Sequence, residues 1–194
     1  MSFKILHLDT SGRTKGSHSR PLSAQLVSRL RAKHEDTTVT YRDLSKGVPF
    51  VDQETLLCFN NVPRAASRTR TSMLSDSMVK DLIEADALVV GLPIYNFSVP
   101  ACMKAYFDLI ARVGVTFKYT ESGVKGLIPN KKVYLVVTSG GTSIGSEADF
   151  CVNYVKFFLA FLGITDVEVI EADQLMLPAG EQKIAKAKEQ IEAI

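Results

Sequence analysis

Three stretches of this chain combine hydroxyls, glycines and prolines in ways that suit holding a ligand rather than filling a core. Gly91–Pro100 (GLPIYNFSVP) follows the apolar run Ala87-Leu88-Val89-Val90 and precedes a helical pattern that starts near Ala101. Pro93 and Pro100 fix φ and bias the residues before them towards extended backbone. The segment between them reads as a stiff loop able to present main-chain groups to a flat ligand, or as an ordinary βα connection with a proline at each end. A second stretch lies behind the apolar run Phe3–Leu8 and holds Thr10, Ser11, Gly12, Thr14, Gly16, Ser17 and Ser19. It runs into Leu22, Leu26, Val27 and Leu30 at helical spacing, with Ser19 expected as N-cap and Pro21 in the first turn, where its missing N–H costs nothing. Backbone N–H groups and the helix dipole favour an anion at such a place; a flexible surface loop is the alternative. The third stretch is Thr138-Ser139-Gly140-Gly141-Thr142, behind Lys132–Val137.

The anion is not a nucleoside triphosphate. Gly12 and Gly16 enclose one residue too few for the P-loop, and Ser17 stands where its lysine belongs. G-x-G-x-x-G is absent, so no dinucleotide pyrophosphate cradle is offered. A hydroxyl-rich loop without that lysine suits a single phosphate monoester. Of the histidines, His7 falls inside the first strand, His34 at a helix end, and His18 alone in a candidate site loop between two serines. No Ser-His-Asp or Cys-His arrangement, carboxylate pair or metal-ligand spacing can be argued. A site so poor in acids, bases and nucleophiles points to a cofactor that carries the chemistry itself. Flavin mononucleotide (FMN) fits the pieces, with one phosphate, a ribityl chain and a planar ring.

The elements that must position these loops follow from length and pattern. A chain of 194 residues with 46% apolar content is one domain with a sizeable core. A net charge of +2 with scattered Lys and Arg does not suggest nucleic acid, and Lys131-Lys132, the longest basic run, reads as a solvated strand entry. Cys58, Cys102 and Cys151 form no disulfide or zinc pattern; the last two lie in helical patterns as buried, inert thiols. No signal peptide or span-length apolar run is read, so the expected setting is soluble, reducing and cytoplasmic, without a membrane.

Strands are expected at Phe3–Leu8, Thr37–Tyr41, Asp86–Leu92, Lys132–Val137 and Val167–Ile170, with a short helix near Gln53–Phe59 in an otherwise irregular Arg42–Arg70. Met103, Tyr106, Phe107 and Ile110 mark an amphipathic helix whose aromatics belong to the core. Val115–Tyr119 reads as half of a small hairpin, its turn bounded by Gly123 and Gly126, and Gly163 as the residue ending a helix over Cys151–Leu162. Five strands alternating with helices give an α/β fold: a doubly wound parallel sheet covered on both faces, flavodoxin-like order 2-1-3-4-5, with the flavin site at the first and third strands.

The run PIYNFSVPACMKAYFDLIARVGVTFKYTESGVKGLIPNKK resembles the central block of the bacterial FMN-dependent NADH-azoreductases, which read P-M-Y-N-F, a Lys-x-Tyr-Phe-Asp helix and a Gly-Val-Thr-Phe-x-Tyr-Thr hairpin. The serines after the first strand and the Gly-Ile-Thr-Asp-Val ending also match, and the likeness covers the chain apart from a shorter segment near 45–70. The resemblance implies that Ser11, Ser17, His18 and Ser19 bind the FMN phosphate. It implies that Pro93, Ile94, Tyr95, Asn96 and Phe97 line the ring, and that Thr138, Ser139, Gly140 and Gly141 close the opposite side, the glycines allowing close backbone approach. Phe97 and Tyr119 would face the substrate. It further implies a homodimer, NADH or NADPH as co-substrate, and a quinone or azo acceptor. Many relatives carry an arginine and a histidine in the loop where this chain has Ser139 and Thr142 or Ser143. A flavodoxin-like electron carrier without its own substrate is the competing reading.

Overall fold

The computed structural model describes residues 2–59 and 69–194. In chain order it contains β1 (Phe3–Asp9), α1 (Ser19–Lys33), β2 (Thr37–Asp43), a 3-10 turn (Leu44–Lys46), α2 (Gln53–Phe59), α3 (Arg70–Glu84) and β3 (Ala87–Pro93). There follow α4 (Ala101–Ile110), β4 (Phe117–Thr120), β5 (Gly123–Gly126), β6 (Lys132–Thr138), α5 (Val152–Leu162), β7 (Val167–Ala172) and α6 (Gly180–Glu192). The irregular stretch expected up to Arg70 includes residues 60–68, which lie outside the described residues; the short helix expected at its centre is α2.

β2-β1-β3-β6-β7 form one parallel sheet. With the antiparallel β4–β5 hairpin set aside, this is the expected 2-1-3-4-5. Successive side chains of a strand point to opposite faces, and the central strands use both. Leu88, Val90 and Leu92 of β3, with Val133, Leu135 and Val137 of β6, pack against Met78, Leu82, Met103, Phe107 and Leu159 of α3, α4 and α5. Val89, Tyr134 and Val136 pack on the other face against Leu22, Leu26 and Leu30 of α1 and Ala187 and Ile191 of α6. Every residue of β3 is buried, as a central strand covered on both faces requires. Its C-terminal end is therefore held rigidly where the candidate loops begin.

Three local readings change. His18, not Ser19, occupies the N-cap of α1, and the Ser17 hydroxyl accepts the Arg20 N–H at 3.4 Å while Ser19 is buried as the first helical residue. The hairpin turn is Glu121-Ser122, and Gly123 and Gly126 are the two ends of β5. Lys131 is not solvated. It is buried, and its ammonium donates to the carbonyls of Leu82, Ile83 and Ala85, satisfying acceptors at the end of α3 that have no helical partner. Lys132 does meet solvent, paired with Asp166 and Glu168. Gly163 ends α5 with φ +102° as expected.

Candidate functional site

The loops behind β1, β3 and β6 converge at the C-terminal edge of the sheet and are bonded to one another. Thr10 donates through its N–H and its hydroxyl to the Gly91 carbonyl, at 3.2 and 2.8 Å. The hydroxyls of Ser11 and Tyr95 lie 3.2 Å apart. The Ile94 N–H donates to the Thr138 carbonyl at 2.8 Å. Between the loops lies a cleft of about 190 Å³. Its lining includes nine of the sequence-predicted residues: Ser11, Ser17, His18, Pro93, Ile94, Tyr95, Thr138, Ser139 and Gly140. Ser19, Asn96, Phe97, Gly141 and Tyr119 are not in that lining. Asn96 and Phe97 are exposed at the tip of the second loop, and Tyr119 stands 71% exposed on β4.

Backbone accounting shows what the cleft can bind. Buried and part-buried N–H groups in proteins nearly always find acceptors. Here the N–H groups of part-buried Ser17 and Gly140 and of buried Ser19 have no protein acceptor among the described residues; those of His18, Asn96, Phe97 and Gly141 have none either, but these residues are exposed and water can serve them. A 15-residue helix adds its dipole behind the first set. One end of the cleft thus offers donors to an anion. At the other end the third loop offers the Gly140 donor, and the second loop supplies the Ile94 side chain and the Tyr95 ring. A phosphate at one end and a flat ring with a polar edge at the other match this division, so the residues present fit FMN.

The second loop is held in a costly conformation. Tyr95 and Ser98 exchange two main-chain hydrogen bonds, 3.0 and 3.1 Å, around Asn96 and Phe97, which have φ of 48° and 72°. Two central residues at positive φ define the I′ hairpin turn, which favours Asn-Gly. Asn96 suits its place, but Phe97 stands where glycine belongs, at roughly 1–2 kcal/mol. Strain of this kind gathers at ligand-binding loops, and it leaves both N–H groups of the tip open.

A polar network lies behind the first loop. Asp9 is buried; its carboxylate accepts from Ser23 Oγ at 3.0 Å, Tyr41 OH at 2.9 Å and Arg20 Nη1 at 3.4 Å. Burial pushes the Asp9 pKa up, but contact with His7 and hydrogen bonds from Tyr41 and Ser23 outweigh it and hold the carboxyl below the usual range. The Tyr41 phenol is pushed up to about 12 by burial and the neighbouring Asp9. His7 Nε2 sits 3.0 Å from Ser23 Oγ. This places a serine, a histidine and an aspartate in contact, a grouping not legible from their spacing. With Ser23 fully buried it is a packed network and not a nucleophile. Gly91 is small because a Cβ there would lie 2.6 Å from Asp9 Oδ1.

Three lining residues escaped the sequence reading: Arg13, Leu175 and Met176. An exposed arginine and two apolar residues in an aperiodic loop carry no local signal. Topology brings the 173–177 loop in, with the Leu175 and Met176 N–H groups donating to the Ser139 and Gly140 carbonyls at 2.9 and 3.0 Å. Met176 also supplies a packing reason for Gly140, since a Cβ there would meet its Sδ at 3.0 Å. The Ser139 hydroxyl is occupied within its own loop, donating to the Thr142 carbonyl and accepting the Gln174 N–H. Cys151 is buried as expected and Cys102 only half-buried; burial raises the Cys102 thiol and pushes Cys151 up to about 12, so neither offers a thiolate. A wider cleft, about 750 Å³, lies between β7 and α6, but its lining mixes Glu171, Asp173 and Glu189 with Lys183 and Lys186. Lys183 is already paired with Asp173 at 2.6 Å, so neither sign of ligand is favoured there. Among the described residues no helix is long and apolar enough to cross a membrane.

Comparison with known proteins agrees with this fold. The profile of the flavodoxin-like fold family matches residues 3–194. The chain is 46% identical over 195 residues to the FMN-dependent NADH:quinone oxidoreductase of Erythrobacter litoralis, covering 98% of each. It is also 46% identical to FMN-dependent NADH:quinone oxidoreductase 1 of Jannaschia sp., covering 98% of this chain and 97% of the other. The crystal structure of an azoreductase from Bacillus anthracis superposes with a TM-score of 0.88 at 26% identity, over 98% of this chain and 97% of that one. Matching in sequence and in fold along nearly its whole length, the chain belongs to the flavodoxin-like family of FMN-dependent NADH:quinone oxidoreductases and azoreductases.

Proposed function

We propose that this chain binds FMN in the cleft and uses NADH or NADPH to reduce quinones, and to cleave azo compounds to amines, by a ping-pong two-electron mechanism. The observation that carries the reading is one cleft lined by all three loops, with the unpaired N–H groups of Ser17, His18 and Gly140 among its lining residues. FMN when bound would supply the redox chemistry, taking two electrons from the pyridine nucleotide and passing them to the acceptor. Ser11, Ser17, His18 and Ser19 would hold the phosphate through hydroxyls and N–H groups. Pro93, Ile94, Tyr95, Asn96 and Phe97 would line the ring, with Thr138, Ser139, Gly140 and Gly141 closing the opposite side.

The chain's own part is positioning. Nicotinamide and acceptor must in turn approach the ring within roughly 3–3.5 Å, and the exposed Phe97 ring and Tyr119 would cover that position. The free N–H groups of the second and third loops would stabilise negative charge that develops on reduction. A quinone takes one such cycle, and full cleavage of an azo bond takes two.

The reading includes a cytoplasmic homodimer. What supports the dimer is the apolar rim beside the cleft. Phe97, Phe150 and Met176 are 55%, 64% and 87% exposed, and the Phe150 N–H donates to the Phe97 carbonyl at 3.0 Å. Large exposed apolar groups side by side are uncommon on a monomer.

Purified protein is expected to be yellow, and NADH or NADPH should bleach it rapidly under anaerobic conditions with no other protein present. A quinone should then restore the colour. Colourless protein that takes up no FMN would sink the reading, and colour stable to both nucleotides would leave an electron carrier in its place.

A further inference from the structure

We propose that Arg20 is the positioning residue of the anion end of the cleft, holding the first loop in its donor conformation and neutralising the two carboxylates behind it. The inference rests on the reading that the cleft takes FMN. Arg20 does not line the cleft, and its guanidinium is spent on the protein. Nη2 donates to the Ser11 carbonyl at 2.7 Å and Nε to the Arg13 carbonyl at 3.1 Å. Nη1 and Nη2 fork onto the Asp43 carboxylate at 3.1 and 2.8 Å, and Nη1 reaches Asp9 at 3.4 Å.

Two consequences follow. The first concerns the peptide planes. No described peptide bond is cis, and in a trans peptide the N–H points opposite to the C=O. By drawing the Ser11 and Arg13 carbonyls to itself, Arg20 turns the N–H groups of Gly12 and Thr14 to the far side of their peptide planes. Neither N–H has a protein acceptor among the described residues. Gly12 and Thr14 are exposed and alternate along the chain with the lining residues Ser11 and Arg13, so the hold of Arg20 on the two carbonyls fixes the backbone that leads to the Ser17 and His18 donors.

The second consequence is electrostatic. Asp43 is desolvated, which raises its pKa, but the Arg20 hydrogen bonds and the Ser45 hydroxyl outweigh this and hold it low; Asp9 is held low as well. Both carboxylates are therefore charged at neutral pH. Without Arg20 they would stand uncompensated behind a loop that has to accept a phosphate. A lysine could return the charge but not the planar fork that serves two carbonyls and a carboxylate together.

The test is titration of the full chain with FMN and with riboflavin, which has the same ring and ribityl chain but no phosphate. Wild type is expected to prefer FMN. Arg20→Gln should weaken FMN about 30-fold, which is about 2 kcal/mol at 1.4 kcal/mol per decade. The same variant should change riboflavin affinity by less than about threefold, within the scatter of a lost neutral contact. Adding Asp43→Asn to Arg20→Gln should recover part of the FMN affinity by removing one orphaned charge. If FMN and riboflavin weaken equally, or FMN binding is unchanged, the proposal is overturned. Should Arg20→Gln not fold, Arg20→Lys is judged by the same FMN-to-riboflavin ratio. Wild type that binds no FMN would remove the functional reading, whereas wild type that binds it beside variants with an unchanged ratio removes only this inference.

Discussion

Asp9→Ala is expected to cost the flavin-free chain about 1–3 kcal/mol of unfolding free energy, because it removes the buried acceptor shared by Ser23, Tyr41 and Arg20 while Ser23 and Arg20 keep other acceptors. For a chain of this size that is a fall in Tm of roughly 2–12 °C. The argument is one of desolvation. Arg20, Tyr41 and Ser23 all donate to this carboxylate; water can reach the half-exposed Tyr41 but not the fully buried Ser23, so the loss is felt mainly there. The same group gives the acid limb of the stability curve its sign. Asp9 and Asp43 are both held below the ordinary aspartate value of 3.8 in the folded state. Between the folded and unfolded values the unfolded chain binds more protons, so stability rises with pH there. The contribution is present above pH 3.8 and is lost as pH falls through the lower folded values. Denaturant unfolding of wild type and Asp9→Ala at neutral pH and down to about pH 3 checks both parts. A loss under about 1 kcal/mol at neutral pH would mean that the network is open to solvent.

Gly126→Ala should be the most damaging single methyl on the surface of the molecule. A Cβ at Gly126 would lie 2.2 Å from Gly163 N and from Leu162 C, and 2.5 Å from Leu162 O. Those atoms are backbone, so no side chain can swing aside. The contact seats the β4–β5 hairpin on the end of α5, where the Ile128 N–H also donates to the Leu162 carbonyl at 3.0 Å. Overpacking of this kind costs about 1–3 kcal/mol, and the upper end applies because both partners are main chain. The expected result is a fall in Tm of roughly 4–12 °C, with faster amide exchange across 116–128 than in the β3 core. Unchanged exchange in the hairpin would show that the end of α5 had yielded instead.

Much of this architecture could be read from the chain because β3, β6 and their helices are locally consistent. Apolar runs bounded by Pro and Gly gave strands, and 3.6-residue spacing gave helices. The readings that changed are those in which a distant element decides a local outcome. Lys131 looks solvated beside Lys132, yet the end of α3 arrives over it and supplies three carbonyls. Gly126 looks like turn chemistry until α5 is placed against it. Arg20 looks like any polar helix residue. Its role exists only because parallel pairing sets Asp9 opposite Asp43 and the loop between β1 and α1 folds back over its side chain. Within the cleft, the loops were legible by composition, while Arg13, Leu175 and Met176 were not, since nothing periodic marks a loop residue that topology alone brings in.

The buried ammonium of Lys131 also makes a clock. Amine-reactive reagents acylate exposed lysines within minutes and need both access and a free lone pair. Lys131 is 8% exposed and has its protons directed at carbonyls, so it should remain unmarked while Lys80 and Lys104 are modified. Its acylation, followed by peptide mass spectrometry, would then time the opening of the last turn of α3 in the native protein.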